Sequence, residues 1–106
     1  MKTLSEMTLN EKVDTMMKVV EQAEIYLSKK DKTVEEVDEL SYIMSEVFSS
    51  IKEHFYVDEE KKAWNGDAFD AALNSQYPGL SFRTNSVMFA LENLYQVFLE
   101  INENVI

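Results

Sequence analysis

Apolar residues recur every three or four positions in three long stretches of the chain, which is the spacing of one face of an α-helix. The middle stretch, residues 33–56, has apolar residues at Val37, Leu40, Met44, Val47, Ile51 and Phe55. Ile43 and Phe48 widen this face, as a helix that packs on a core requires. The opposite face carries acidic residues seven positions apart, at Glu39, Glu46, Glu53 and, in register, Glu60. One helix is therefore predicted to supply much of the core and much of the charge.

The first stretch predicts a helix that begins near Thr8 and ends around residues 28–30, with Thr3 and Glu6 as a weaker alternative start. Thr8 and Glu11 have the spacing of a capping box, in which each side chain bonds the backbone N–H of the other residue. The apolar positions that follow are Leu9, Val13, Met16, Val20, Ala23 and Leu27. Thr33 and Glu36 repeat the capping spacing after only two further residues. Such a short connection predicts an antiparallel pair of helices, with one continuous helix as the alternative.

The last stretch predicts a helix that begins at Thr84, Asn85 or Ser86 and ends near Glu103. It carries two adjacent apolar rows, one of Val87, Leu91, Leu94, Phe98, Ile101 and Val105, the other of Met88, Tyr95 and Leu99. Two adjacent rows indicate burial on a broad face. This helix is therefore expected either to lie between the other two or to contact a second subunit.

Shorter elements are predicted between the second and last helices. Residues 58–64 (DEEKKAW) have their acids first and their lysines later, which suits the dipole of a short helix. Asn65-Gly66 is expected to end it, and Asp67 to cap another short helix over residues 68–75. Pro78-Gly79 is typical of a type II turn. With only two glycines and one proline, the chain is predicted to be all-α, a compact helical bundle of three long amphipathic helices plus one or two short ones, in a single domain over residues 1–106.

The net charge of −10 is unevenly distributed. Residues 1–34 hold six acids and six lysines, whereas residues 35–60 hold nine acids against Lys52 alone. We expect these nine to bind a partner: Glu35, Glu36, Asp38, Glu39, Glu46, Glu53, Asp58, Glu59 and Glu60. Like charges this close together reduce stability, so an unpaired group of them suggests a function. The expected partner is a protein with a basic surface, and direct binding to nucleic acid or to anionic lipid is not expected.

Candidate catalytic and cofactor chemistry is sparse in this sequence. There is no cysteine, and His54 is the only histidine. Ser50 and Asp58 lie one turn to either side of His54, but a catalytic triad normally draws its members from separate elements. Neither a Glu-x-x-His metal motif nor a glycine-rich phosphate loop is present. We therefore expect no enzyme activity, no metal site and no cofactor.

The chain begins without an apolar signal core, and no stretch approaches the roughly 20 apolar residues that span a bilayer. A cytoplasmic protein without membrane contact is the expectation. In size and charge the chain is similar to small acidic inhibitors encoded by phages and to immunity proteins.

These patterns favour a small acidic binding protein that acts as an inhibitor by occluding a basic surface, including one that binds nucleic acid, as a nucleic-acid mimic does. The first alternative is a structural or adaptor protein that forms a homodimer through the last helix. The second is a ligand-binding domain in which aromatic residues line a pocket. The residues that motivate it are Phe55, Tyr56, Trp64, Phe69, Tyr77, Phe82 and Phe89.

Overall fold

The computed structural model describes residues 2–104, which form four α-helices and one small antiparallel sheet. The helices are α1 (Leu9–Leu27), α2 (Val34–Lys52), α3 (Gly66–Gln76) and α4 (Leu80–Asn104), and the strands are β1 (Tyr56–Asp58) and β2 (Ala63–Trp64). Short 3-10 turns span Leu4–Glu6 and Glu53–Phe55. The chain is mostly helical, as predicted, but the sheet was not expected. Val105, the last member of a predicted apolar row, lies outside the described residues.

The helices begin after Thr8 and Thr33 as the sequence predicts, but only Thr8 forms the complete capping box. The Thr8 hydroxyl accepts from the Glu11 N–H at 3.2 Å, and the Glu11 carboxylate accepts from the Thr8 N–H at 3.2 Å. The Thr33 hydroxyl likewise accepts from the Glu36 N–H at 3.2 Å. Between the two helices, the Tyr26 hydroxyl bonds both the N–H and the carbonyl of Thr33, each at 3.0 Å. Helices α1 and α2 are therefore separate, and the alternative of one continuous helix is wrong.

The core lies where α1, α2 and α4 meet, and α3 closes one end. Lys12, near the start of α1, contacts Ser50, near the end of α2, so these two helices are antiparallel. Gln76, at the end of α3, contacts Asp14 in α1. Arg83, in α4, contacts Glu24 further along α1, so α4 runs parallel to α1. The fully buried side chains include Val13, Met16, Val20, Val37, Met44, Ile51, Phe69, Leu73, Leu80 and Leu91.

The predicted short helix over residues 58–64 is wrong, because this segment forms the hairpin of β1 and β2. Tyr56 pairs with Trp64, and the carboxylate of Asp58 accepts the N–H groups of Glu60 and Lys61 at 3.1 and 3.3 Å. Lys62 adopts a left-handed φ of 54°, which closes the turn. The hairpin prevails because it packs Trp64 against the aromatic rings beneath it, a tertiary gain that local helix preference does not match.

The predicted stop at Asn65-Gly66 is instead a helix start. The Asn65 side chain accepts from the Ala68 N–H at 3.1 Å and caps α3, so Asp67 falls within the first turn instead of capping it. The predicted turn at Pro78-Gly79 is present, with Gly79 at φ 84° and the Leu80 N–H bonded to the Tyr77 carbonyl at 3.0 Å.

Helix α4 begins at Leu80, four residues before Thr84. The helix follows the turn at Gly79 directly. Its N-terminal cap comes from α3, where the Asn74 side chain accepts from the Ser81 N–H at 3.2 Å. Thr84 is buried, and Asn85 and Ser86 lie within the helix, so none of the three predicted residues is its start. No helix within residues 2–104 is long and apolar enough to cross a membrane.

Candidate partner-binding surface

The nine predicted acidic residues lie on α2 and on the hairpin that follows it, and together they are called the acidic surface below. Its members are Glu35, Glu36, Asp38, Glu39 and Glu46 in α2, Glu53 at the end of α2, and Asp58, Glu59 and Glu60 in the hairpin. All are exposed except Glu36 and Asp58, which are half-buried.

Glu39, Glu46 and Glu53 form a straight row on the outward side of α2. The buried residues Val37, Met44 and Ile51 occupy the opposite side, which fixes the row toward solvent. Glu53 keeps helical dihedral angles (φ −56°, ψ −30°), so the row stays in register to that point. At 1.5 Å rise per residue its members stand about 10.5 Å apart. The helix ends at Lys52, and the predicted continuation of the row to Glu60 instead falls in the hairpin turn.

The remaining members of the acidic surface differ in their contacts and in their exposure to solvent. Glu36 lies on the α1 side, with its carboxylate 3.9 Å from the Lys29 ammonium. Asp38 faces the groove between α2 and α4. The carboxylate of Asp58 holds the hairpin turn, so its role is structural, whereas Glu59 and Glu60 are exposed at the tip.

Little positive charge offsets this surface. Among residues 2–104, Glu36 is the only member in an ion pair within 4.0 Å. Lys52, the one cation of residues 35–60, lies over the rings of Trp64 and Phe48, at 4.9 and 5.4 Å from their centroids. Such a cation–π arrangement binds its ammonium to the aromatic cluster. Within residues 2–104, neither Lys52 nor another cation forms an ion pair with Glu39, Glu46 or Glu53.

Three acids in α1 have close partners. Glu24 pairs with Arg83, which lowers the pKa of the Glu24 carboxyl, and Lys2 lies 3.0 Å from Glu11. The Tyr77 hydroxyl donates to Asp14 at 2.5 Å and lowers the pKa of that carboxyl. Glu39, Glu46 and Glu53 have no such partner within residues 2–104.

Tyr42 is a member of this surface that the charge count missed. It lies between Glu39 and Glu46 on the outward side of α2, and it is 65% exposed. Its spacing of three and four residues from those two acids is visible in the sequence. Exposed tyrosines are frequent anchors at protein interfaces, because one ring supplies contact area and a hydroxyl.

The seven aromatic residues proposed to line a pocket do not gather at one place: Phe55, Trp64 and Phe69 pack together as part of the core, and Tyr77, Phe82 and Phe89 lie elsewhere. Phe69 is buried and packs with its ring centroid 4.8 Å from that of Phe48, 5.1 Å from Trp64 and 6.2 Å from Phe55. Tyr77 instead packs on α1. The outermost aromatic residues, Phe82 and Phe89, project from α4 into solvent.

Most members of the two predicted apolar rows of α4 pack on the core and do not form an exposed face. Met88, Leu94, Tyr95 and Phe98 are half-buried against the core. The strongly exposed positions are instead Phe82 at 77% and Phe89 at 68%, seven residues apart on the outward side of this helix.

His54 makes a contact that its sequence neighbours do not suggest. Its Nε2 lies 2.9 Å from the ammonium of Lys12, a residue only 5% exposed, and this ammonium also donates to the Ser50 backbone carbonyl at 3.3 Å. Burial and the nearby Lys12 charge lower the pKa of His54, and Glu53 only partly opposes them. A neutral His54 thus serves as an acceptor that holds Lys12 at the end of α2.

This contact predicts a pH dependence of stability. Because the folded-state pKa of His54 is below its unfolded value near 6.5, protonation favours the unfolded chain. The stabilising contribution of neutral His54 is therefore complete above about pH 6.5, and it decreases as the pH falls below that value. His54→Gln keeps an acceptor but does not titrate, so its unfolding free energy in urea should not change between pH 7 and 5.5. A wild-type curve that is equally flat would contradict this role.

A separate loss of unfolding free energy at lower pH is expected both in the wild-type protein and in His54→Gln, and it serves as the internal control. The pKa values of Glu24 and Asp14 are lowered in the folded state, so their contributions are present above their unfolded values of 4.5 and 3.8 and are lost below them.

Within residues 2–104, no three side chains of the metal-ligating kinds gather at one point. The sequence matches no protein-family model and no curated protein, and the fold matches no solved structure. The acidic surface therefore has to be interpreted from its own geometry.

Proposed function

We propose that this chain is a non-enzymatic binding module that docks its acidic surface on a basic surface of a partner protein. The observation that supports the proposal is the uncompensated row of Glu39, Glu46 and Glu53, beside a lysine that is held on aromatic rings. A compact helical bundle of three long helices would present this row as one rigid edge.

Docking of this kind acts chiefly by electrostatic steering and by occlusion. Complementary charge raises the association rate, and salt weakens it because the Debye length falls to about 8 Å at physiological ionic strength. Inhibition follows if the occluded surface is a functional site of the partner. Occlusion of a nucleic-acid-binding groove is the sharper version, although the row is sparser than a nucleic-acid strand, which carries a charge about every 3.4 Å.

The direct test is affinity capture from the native host's lysate at about 50 and 500 mM salt, with proteins identified by mass spectrometry. We expect a basic protein that is retained at low salt and released at high salt. If that protein binds DNA or RNA and the chain competes with the nucleic acid, the target is a nucleic-acid-binding groove. Specific capture that is insensitive to salt would contradict electrostatic docking.

Self-association through α4 is the second candidate, favoured by the exposure of Phe82 and Phe89. Two large apolar rings on an otherwise polar helix face form a natural contact point between two copies. Light scattering distinguishes the candidates: a dimer that persists at high salt and is lost on Phe82→Ser with Phe89→Ser supports this one, and a monomer excludes it.

A further inference from the structure

A groove between α2 and α4 combines an apolar floor with acidic walls. It encloses a cavity of about 320 Å³. Met44, Met88 and Leu91 form its apolar part, while Asp38 and Glu92 contribute one carboxylate from each helix. This volume is at the lower end of the range of about 300–1,000 Å³ that is typical of ligand sites. It suits one long side chain better than a cofactor.

A serine hydroxyl in the groove lacks a hydrogen-bond partner. The Ser41 Oγ is buried and unbonded, and Ser41 lines the cavity. The other buried, unbonded hydroxyl among the described residues is that of Thr84, which is fully enclosed in the core. Because buried polar groups normally have partners, the Ser41 hydroxyl is suited to accept a donor from a ligand that enters the groove.

We propose that this groove binds a lysine or arginine side chain of the partner protein. The aliphatic stem of such a side chain would lie on Met88, and its cationic end would lie between Asp38 and Glu92. Lysine and arginine combine these two properties, since their stems pack on apolar surface while their charged ends remain in a polar setting. Anionic and purely apolar ligands each fail to match one part of the groove.

The position of the groove relates it to the acidic surface. Asp38 belongs to both, and Tyr42, which also lines the groove, lies on the outward side of α2 beside Glu39. This inference rests on the proposed function, and adds to it an anchor point: the acidic surface attracts a basic partner, and the groove takes one of its side chains.

The test uses two capped amino acids and the intact chain labelled with ¹³C at its methionine methyl groups. Nα-acetyl-lysine methylamide carries the stem and the ammonium, while Nα-acetyl-norleucine methylamide carries the stem alone. We expect the lysine probe to shift the signal of Met88 and to bind at least tenfold more tightly than the norleucine probe. The buried Met16 methyl group is the internal reference.

Matched variants assign the binding to the groove. Asp38→Asn with Glu92→Gln should reduce lysine-probe affinity to that of the norleucine probe. Glu6→Gln with Glu21→Gln changes the net charge equally at exposed positions away from the groove, and it should leave the affinity within twofold. Equal binding of the two probes, equal loss in both variants, or no shift up to about 50 mM would overturn the proposal. Tighter binding of n-pentylammonium than of the lysine probe would also overturn it, by identifying a free amine as the occupant.

The two proposals fail separately. Suppose that Asp38→Asn with Glu92→Gln leaves capture of the partner unchanged, while loss of the outward glutamates abolishes it. The docking function then stands and the groove has no part in it. The lysine probe, in turn, tests the groove without any partner.

Discussion

Replacing Glu39, Glu46 and Glu53 together by glutamine is expected to weaken binding of the captured partner by about 3- to 100-fold. Exposed charge pairs contribute about 0.2–1 kcal/mol each, and each 1.4 kcal/mol corresponds to a factor of ten in affinity. The dependence of affinity on salt should flatten in parallel. The fold should be kept, with a gain of a few tenths of a kcal/mol in stability because like charges are removed. Titration calorimetry at two salt concentrations measures the affinity, and urea unfolding measures the stability.

A second triple variant controls for net charge. Glu6, Glu21 and Glu100 are exposed and lie outside the acidic surface. Their replacement by glutamine changes the charge by the same amount, and partner affinity should remain within about twofold at physiological salt, where distant charges are largely screened. An equal loss in both triple variants would mean that total charge, and not the row on α2, determines binding.

Phe69→Ala is expected to cost about 3–5 kcal/mol of unfolding free energy, the largest stability effect of any single change considered for this chain. Phe69 is 2% exposed and contacts Phe48, Phe55 and Trp64, so its removal leaves a cavity between α2, α3 and the hairpin. Domains of this size are stable by about 5–15 kcal/mol, so the variant would lose a large part of its stability. Urea unfolding followed by the fluorescence of Trp64, the only tryptophan, measures it.

The same substitution at an exposed position is the matched control. Phe82 is 77% exposed on α4, and Phe82→Ala should change the unfolding free energy by less than about 0.5 kcal/mol. A loss at Phe69 no larger than at Phe82 would mean that the aromatic cluster does not hold the hairpin and α3 on α2. Repeating both measurements at two chain concentrations separates burial within one copy from burial between copies.

The long helices could be predicted because their signals are local. The capping box at Thr8 and Glu11 and the turn at Pro78-Gly79 each depend on residues that are close in sequence. The hairpin could not be predicted in this way. Residues 58–64 have the charge order of a helix, and the feature that overrides it is the packing of Trp64 on Phe48 and Phe69. The start of α4 was missed for a similar reason, since its cap is a side chain of α3.

The candidate surface likewise has one part that the sequence predicts and another part that depends on tertiary packing. The heptad spacing of Glu39, Glu46 and Glu53 defines the row from the sequence alone, because one helix carries all three. The charge count of residues 35–60 predicts that these acids are unpaired, but it does not predict that Lys52 packs over the rings of Trp64 and Phe48. The groove could not be predicted either, because its lining residues on α2 and on α4 are more than 40 positions apart in the sequence.

Photocrosslinking from two faces of the molecule tests the central claim most directly. Tyr42 on the acidic surface and Phe89 on α4 are exposed to nearly the same extent, at 65% and 68%, and each can be replaced by p-benzoylphenylalanine. In lysate of the native host, the account predicts that the probe at Tyr42 forms a salt-sensitive adduct with a basic protein and that the probe at Phe89 does not. An adduct from Phe89 alone, above all one with the mass of two copies of this chain, would contradict it.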